Sequence, residues 1–220
     1  MRLNAAFIAY ECLIMEENAF RKFNHIVDKL SCVSRFSSVH LSKGENALEH
    51  TGKVALLCLK IAKDLELEGF KLDKGLLFEK ALLHDIEESE TGDIISPIKY
   101  STVDIKKAFK IIEGKIAKSI FNRILLNTNA YEIWLESKEG IEGSIVAFID
   151  KISALYKIDY EVRCRGNLSM IDAISKTTID SARDSFTRMR RRFPESESMN
   201  QISIEVDSLC SRVSEFYYEN

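Results

Sequence analysis

The sequence predicts an all-α fold in a single domain, and three observations support this prediction. The 220 residues include only 9 Gly and 2 Pro, whereas sheet-rich folds need many turns built from these residues. Apolar residues recur at steps of three and four along most of the chain, which is the helical period. Hydrophobic residues make up 45% of the sequence and charged residues 30%, so a chain of this length can bury a sizeable core.

The first part of the chain is predicted to form helices on both sides of a polar segment. Residues 3–31 are expected to form one or two helices, since their apolar residues share a stripe. The polar segment 31–43 contains Arg35 and several serines. A second helix is expected to open at Gly44 and to end at Gly69. Its apolar face is made by residues three or four positions apart: Ala47, His50, Val54, Leu57 and Ile61.

The middle of the chain is predicted to contain a helix over about residues 74–89, with Asp73 as its N-cap. The run Thr91-Gly92-Asp93 should break this helix, and Pro97 is expected to close a loop rather than to lie in a helix. The remaining helical patterns cover residues 103–127, 129–138, 142–163 and 168–193, with a weaker one over 199–218. We expect the core of the domain at about residues 31–165, with residues 1–30 and 166–220 as additions.

Charge and cysteine content exclude several classes of protein. The sequence has 31 Lys+Arg and 34 Asp+Glu, a formal net charge of −3, so no nucleic-acid partner is expected. A basic run at residues 188–192 is interpreted as the solvated end of a helix. The five cysteines form no CxxC pair, which favours a reducing compartment and a cytoplasmic protein. No apolar run approaches about 18 residues, so no membrane partner is expected.

Two of the four histidines lie on apolar faces of predicted helices. His50 belongs to the stripe of the second helix, and His84 shares a face with Leu77 and Ala81. A lone histidine in such a position is more often a hydrogen-bonded core residue than a metal ligand. His84, however, is followed at once by Asp85, and an acid that points into a helical core is costly unless it is paired or bound to a metal. Further carboxylates crowd the next eight residues, namely Glu87, Glu88, Glu90 and Asp93.

Asp150 is a third acid in an apolar context, because five apolar residues precede it in the segment 145–149. Taken alone, it could be a buried partner of Lys151 or of an arginine. Taken with His50, His84 and Asp85, it completes a set of two imidazoles and two carboxylates. Such a set suits one divalent transition metal with open positions for water and substrate.

These residues, in this order, carry a resemblance to a known family. His50, then His84-Asp85, then Asp150 resembles the H…HD…D pattern of the HD-domain phosphohydrolase superfamily. The segment 83–100, LHDIEESETGDIISPIKY, is similar to the HDxxE…TGD…PxKY segment of the YfbR-like 5′-deoxynucleotidases. Arg35 and the segment that begins at Asp150 add further matches, and the resemblance covers roughly residues 33–160. It implies an HD-domain helical bundle.

The resemblance also implies roles for individual residues. One divalent metal would be held by four ligands: His50, His84, Asp85 and Asp150. Two imidazoles and two carboxylates accept Mn, Co, Fe, Ni or Zn, and Mg less readily. Arg35 would bind the substrate phosphate, because a guanidinium matches its geometry, and Lys99 could add charge there. Glu88 and Asp93 would share the catalytic work between the attacking water and the departing hydroxyl, and which does which is left open.

One position departs from the family pattern, since Phe36 stands where the family often has Trp after the arginine. That ring is thought to crowd the sugar 2′ position, so selection between deoxyribose and ribose is left open. The implied reaction is removal of the 5′-phosphate from (deoxy)nucleoside monophosphates by a metal-activated water, in an enzyme that is a homodimer. The alternatives are hydrolysis of a nucleoside triphosphate or sugar phosphate, or a non-catalytic nucleotide-binding regulatory module.

Overall fold

The structure, a computed structural model, confirms the all-α prediction. It describes residues 5–99, 101–124, 129–170 and 176–218. Within these ranges there are ten α-helices: α1 (Ala5–Cys32), α2 (Ala47–Leu67), α3 (Lys74–Leu83), α4 (Glu88–Thr91), α5 (Ser96–Lys99), α6 (Val103–Ile124), α7 (Ala130–Leu135), α8 (Gly140–Asp159), α9 (Lys176–Arg190) and α10 (Glu197–Tyr218). Among the described residues the extended pairing is a single antiparallel bridge between Ser34 and Asn46.

Helix α8 lies at the centre of the molecule and packs against α2, α3, α9 and α10. Its side chains Ile145, Phe148 and Leu155 are fully or almost fully buried in a core that α2, α9 and α10 complete. A second, smaller cluster joins α1, α6 and α7 around Ile120 and Trp134. Because burial of apolar surface is the main favourable term in folding, α2 and α8 are held face to face by the larger core.

Two helix starts follow sequence signals. Asn46 caps α2, where its side chain accepts a hydrogen bond from the Glu49 backbone N–H at 2.9 Å and the Glu49 carboxylate accepts the Asn46 N–H at 3.0 Å. This reciprocal pair satisfies backbone donors that the first helical turn leaves unbonded. Asp73 caps α3 as predicted, accepting from the Leu76 N–H at 3.0 Å. The N-termini of α2 and α3, the two helices that lead into the candidate site, are therefore well defined.

The prediction of one helix over residues 74–89 is wrong. Helix α3 ends at Leu83, a turn covers residues 84–87, and α4 begins at Glu88. The His84 ring bonds the Ala81 carbonyl through Nδ1 at 2.8 Å, and such local side-chain bonds compete with the helical ladder. Neighbouring side chains on a regular helix point about 100° apart, and the turn instead directs His84 and Asp85 to the same place.

Other differences fall at element ends. Pro97 lies within the one-turn helix α5 rather than in a loop, near the start of the helix, where its missing N–H costs little. The helix expected over 168–193 is interrupted: a 3₁₀ turn covers Leu168–Met170 and α9 starts at Lys176. Tyr100, which belongs to the family-like segment, lies outside the described residues. The boundaries of the core, about residues 31–165, stay a prediction.

None of the helices in the described ranges is long and apolar enough to cross a membrane.

Glu161 ties the segment after Arg35 to the end of α8. It is fully buried in a π-helical turn, Tyr160–Cys164. Its carboxylate accepts hydrogen bonds from the backbone N–H of Ser42 at 2.8 Å and of Lys43 at 3.1 Å, and from Lys157 Nζ at 3.1 Å. Burial alone would raise the pKa of Glu161, but the bonds from Ser42, Asn167 and Lys157 hold that pKa well below its usual range. The ionised carboxylate is therefore the form that stabilises the fold.

Glu161→Gln is expected to lower the free energy of unfolding by about 3 kcal/mol at pH 7, because it leaves the buried Lys157 ammonium without its carboxylate. A depressed folded-state pKa contributes stability above the unfolded pKa of about 4.3 and loses it as pH falls through the folded value. The difference in free energy of unfolding between wild type and variant should therefore become smaller below about pH 4. Urea unfolding at several pH values measures it. Glu205→Gln, which removes an exposed partner of Tyr156, should cost less than about 1 kcal/mol, and a pH-independent gap for Glu161→Gln would contradict the assignment.

Gly143 allows α8 to approach the turn that precedes it. A Cβ on Gly143 would lie 2.7 Å from the carbonyl carbon of Lys138 and 3.1 Å from the carbonyl oxygen of Ser137, both backbone atoms that cannot move aside alone. Gly143→Ala is therefore expected to destabilise the protein by about 2 kcal/mol. The control is Gly52→Ala in α2, where a Cβ meets nothing within 4 Å and should stabilise by up to about 1 kcal/mol. Thermal unfolding of the two variants should shift in opposite directions, and a shift of the same sign would contradict this account.

Candidate metal centre

The four predicted metal ligands converge at one point between α2 and α8. His50 comes from α2, His84 and Asp85 from the turn after α3, and Asp150 from α8. One potential ligand atom from each of these residues lies within 4.8 Å of the others. Ligand atoms about 2.0–2.2 Å from a common ion are separated by up to about 4.4 Å. The cluster therefore has the dimensions of a metal site after only a small contraction.

Both histidines direct the same nitrogen, Nε2, into the cluster. His84 Nδ1 lies 2.8 Å from the Ala81 carbonyl oxygen, to which it can only donate, so in the neutral ring Nε2 carries the lone pair. His50 Nδ1 lies 3.4 Å from Ser153 Oγ, and that hydroxyl donates to the Asp150 carbonyl. The hydroxyl is thus left to accept from Nδ1–H, which again leaves Nε2 as an acceptor. Bonds of this kind from the second ring nitrogen orient metal-binding histidines.

The two carboxylates face these nitrogens with one oxygen each. Asp150 Oδ1 lies 3.3 Å from His50 Nε2, and Asp85 Oδ2 lies 3.0 Å from His84 Nε2. Burial would raise the pKa of Asp85, but the charges of His84 and Lys138 outweigh it and the pKa falls well below its usual range. At Asp150, Lys138 and Lys151 likewise outweigh burial and lower the pKa. Both carboxylates are therefore ionised at neutral pH.

Two buried polar atoms give an independent test of fit. Neither His50 Nε2 nor His84 Nε2 makes a hydrogen bond among the described residues, although both are buried. Buried polar atoms are seldom left without a partner, and such cases need an explanation. Two imidazole nitrogens and two carboxylate oxygens are ligands that a divalent transition metal accepts. The residues present therefore fit one divalent cation.

Arg35, the residue predicted to bind the phosphate, borders the cluster, and its role at the phosphate stays a prediction. Its Nη1 lies 3.7 Å from Asp85 Oδ2, and its Nε lies 3.5 Å from Glu45 Oε1 without a hydrogen bond. Burial would lower the pKa of Arg35, but Asp85 and Asp150 outweigh it and the pKa is raised. A charged guanidinium, whose Nε makes no hydrogen bond among the described residues, thus lies beside the candidate metal ligands.

Phe36 and Asp93 are joined directly. The Phe36 backbone has φ = 55°, which is rare for a residue other than glycine, and its N–H donates to Asp93 Oδ2 at 3.1 Å. Strained backbone of this kind clusters at functional sites. The Arg35 guanidinium carbon lies 5.8 Å from the centre of the Phe36 ring. One oxygen of Asp93 therefore holds the segment that presents Arg35.

Glu88 lies one turn after His84, at the start of α4. One of its carboxyl oxygens, Oε2, is buried and has no hydrogen-bond partner among the described residues. Burial, followed by the charge of Asp85, raises the pKa of Glu88 to about 9. In the protein without a cation, Glu88 is therefore protonated at neutral pH.

Lys99 lies in α5, and its ammonium pairs with Glu113 of α6 at 2.6 Å. This pair holds α5 against α6. The role of Lys99 at the phosphate stays a prediction.

Three further residues were not predicted to act at the site. Glu45 contacts Arg35, Glu87 accepts a hydrogen bond from Trp134 Nε1 at 2.7 Å, and Lys138 Nζ contacts Asp150 Oδ2 at 2.7 Å. Glu87 did appear in the carboxylate-rich segment of the sequence, but nothing there indicated its partner. Lys138 follows no periodic pattern, so its place became visible only in three dimensions.

The fold and the site together define a helical metal-dependent phosphohydrolase of the HD-domain class. The sequence model of the family described as YfbR-like 5′-deoxynucleotidase matches residues 22–185, and the chain belongs to this family. The predictions of the family, of the HD-domain fold and of a hydrolase are thereby confirmed.

The similarities extend over much of the chain. A 5′-deoxynucleotidase of Pasteurella multocida is 28% identical over 62% of this chain and 72% of its own length. An HD-domain phosphohydrolase from Listeria innocua has a TM-score of 0.68 at 22% identity, covering 89% of this chain and 92% of that one. The cyanophage S-2L HD phosphohydrolase DatZ, bound to dA and one catalytic zinc ion, has a TM-score of 0.51 at 19% identity, covering 85% and 95%. The two structures match in fold.

Proposed function

We propose that the protein removes the 5′-phosphate from (deoxy)nucleoside monophosphates, using one divalent metal. The observation that supports this most directly is the pair of unbonded Nε2 atoms, from His50 and His84, facing two ionised carboxylates beside Arg35. Family membership points to the same substrate class, and DatZ, which shares the fold, is an HD phosphohydrolase bound to dA and one catalytic zinc ion.

The site residues divide the work of monoester hydrolysis. His50, His84, Asp85 and Asp150 would hold the cation, which supplies Lewis acidity and an activated water. Arg35 binds the phosphate oxygens and stabilises the charge that they carry in the transition state. Mn, Co, Fe, Ni or Zn suit two imidazoles and two carboxylates better than Mg does.

Glu88 is assigned as the acid and Asp93 as the residue that orients water. Burial and the charge of Asp85 raise the pKa of Glu88, which favours the protonated carboxyl that the leaving 5′-oxygen needs. Asp93 uses Oδ2 to hold the Phe36 N–H, so its Oδ1 is the oxygen that can accept a hydrogen bond from the water. Lys99 would add positive charge at the rim.

The test is phosphate release by metal-stripped protein, with Mn, Co or Mg added back singly. The panel contains all ribo- and deoxyribonucleoside 5′-monophosphates, with nucleoside triphosphates and sugar phosphates beside them. We expect turnover of monophosphates that depends on the added metal. Turnover of triphosphates or sugar phosphates alone would show that the substrate is one of these and not a monophosphate. Metal binding without any turnover would favour a regulatory module.

The same panel reports on sugar selection. Phe36 replaces the tryptophan that the family often has, and its smaller ring leaves more room at the 2′ position. The ratio of turnover on deoxyribo- and ribonucleotides should therefore be modest.

A homodimer in the cytoplasm is part of the same proposal. Helix α6 exposes large apolar side chains, with Val103 69% and Ile111 60% accessible, and such surfaces often mark contacts between proteins. Analytical ultracentrifugation of the purified protein reports its oligomeric state.

A further inference from the structure

Lys138 contacts both carboxylates of the candidate metal centre, from the side away from the histidines. Its Nζ lies 2.7 Å from Asp150 Oδ2 and 3.9 Å from Asp85 Oδ1. The histidine nitrogens approach the other oxygen of each carboxylate, Asp150 Oδ1 and Asp85 Oδ2. The ammonium thus binds the outer oxygens and leaves the inner ones to face the imidazoles.

The backbone of Lys138 is held in this position by its surroundings. It belongs to the turn between α7 and α8, in which the Ser137 N–H donates to Trp134 O and the Glu139 N–H donates to Glu136 O. The buried Lys80 ammonium donates to the Glu139 carbonyl at 2.7 Å. The absence of a Cβ at Gly143 lets α8 lie against the Lys138 backbone. A lysine in this turn is therefore built into the site, although its side chain remains 39% accessible.

The charge of the site depends on this lysine. In the neutral form that binds a metal, the two imidazoles leave the four ligands with the −2 charge of the carboxylates, and the ammoniums and guanidinium around them oppose that charge. A dication placed among the four ligands would then lie one carboxylate away from a second positive charge, which repels it. The same two charges together attract a phosphate dianion. Lys138 thus repels the cation and attracts the phosphate.

We propose that Lys138 is an electrostatic positioning residue that weakens metal binding and strengthens phosphate binding at the same centre. Without a metal, its ammonium neutralises Asp85 and Asp150 and keeps the two carboxylates in place. With a metal, the carboxylates are shared and the lysine charge becomes available to the phosphate. The phosphate half of this statement rests on the proposed function, whereas the metal half does not.

The test compares Lys138→Met, which keeps an unbranched side chain one atom shorter and removes its charge, with Lys138→Arg, which keeps the charge. Co²⁺ affinity is measured by competition with a chelator, and inorganic phosphate is then titrated into the cobalt-loaded protein by its effect on the cobalt absorption spectrum. In Lys138→Met we expect Co²⁺ to bind about 10-fold tighter and phosphate to bind about 10-fold weaker, a scale typical of residues that contact metal ligands. Lys138→Arg should remain within about 3-fold of wild type for both.

Lys151→Met is the matched control, because among the described residues Lys151 Nζ contacts one of the two carboxylates, Asp150 Oδ2 at 3.2 Å. This variant should give a smaller shift of each kind. Opposite signs for the two ligands separate this role from a structural one, since a damaged site would bind both more weakly. Co²⁺ affinity that is unchanged or weaker in Lys138→Met overturns the inference. Phosphate affinity that is unchanged overturns its phosphate half. Absence of turnover in the wild type, with the binding shifts intact, overturns the proposed function and leaves the role of Lys138 standing.

Discussion

Replacing Asp85 with asparagine is expected to abolish metal binding and turnover together. Asp85 Oδ2 lies at the centre of the cluster, 3.0 Å from His84 Nε2 and 3.7 Å from His50 Nε2. An amide keeps the shape of the side chain but removes the charge that a dication requires. Loss of the hydrogen-bond partner that orients a metal-binding histidine costs about 10–100-fold in metal affinity, so loss of a ligand itself should cost more than about 100-fold.

The loss of activity should be at least as large. A bound cation contributes several kcal/mol to stabilisation of the transition state, so the rate in Asp85→Asn should fall by at least about 10³-fold. Asp85 also opposes the buried charge of Arg35, so the variant is expected to be less stable than wild type without metal. The measurements are metal content after dialysis, chelator competition and phosphate release.

Asp93→Asn is the control for this experiment. Asp93 is not among the four residues that converge, so its variant should retain metal while losing activity. Asp85→Asn protein that keeps both bound metal and turnover would overturn the assignment of the ligands. A variant that lost metal but kept full turnover would overturn the requirement for metal.

The sequence contained most of the metal centre but little of its surroundings. His50 and Asp150 could be predicted because each lies on the apolar face of a long helix, where a polar residue needs a reason. His84 and Asp85 could be predicted from their adjacency and the carboxylates that follow. The turn that directs both side chains inward could not, because the apolar period runs through residues 74–89 without a break and predicts one helix.

The periodicity of the sequence could not predict polar contacts between residues that lie far apart in the chain. Glu161 and Lys157 are four residues apart on a helical segment, a spacing typical of solvated ion pairs, yet both are buried. Their burial depends on Ser42 and Lys43, which lie more than 110 positions away. The position of Lys138 could not be predicted for the same reason, since it depends on where α7 and α8 meet rather than on its neighbours in sequence.

Replacing Glu88 with glutamine is expected to lower kcat on nucleoside monophosphates by about 10²–10⁴-fold, the usual contribution of a general acid or base. The change leaves the four metal ligands in place, so metal affinity should stay within about 10-fold of wild type. One oxygen of the Glu88 carboxyl, Oε2, is buried and has no hydrogen-bond partner among the described residues, and the pKa of the carboxyl is raised to about 9. Glutamine preserves this shape, but its amide has no acidic proton to transfer.

The choice of substrate separates an acid from a base. If Glu88 protonates the leaving 5′-oxygen, an aryl phosphate, whose phenolate departs without a proton, should be hydrolysed by Glu88→Gln almost as fast as by wild type. If Glu88 instead activates the water, both substrates should lose rate equally, because both need the same nucleophile. Asp93→Asn is the matched variant, and as the residue that orients water it should slow both substrates alike. The two assignments would be exchanged if Glu88→Gln lost the same rate on both substrates while Asp93→Asn lost rate mainly on the nucleoside monophosphate.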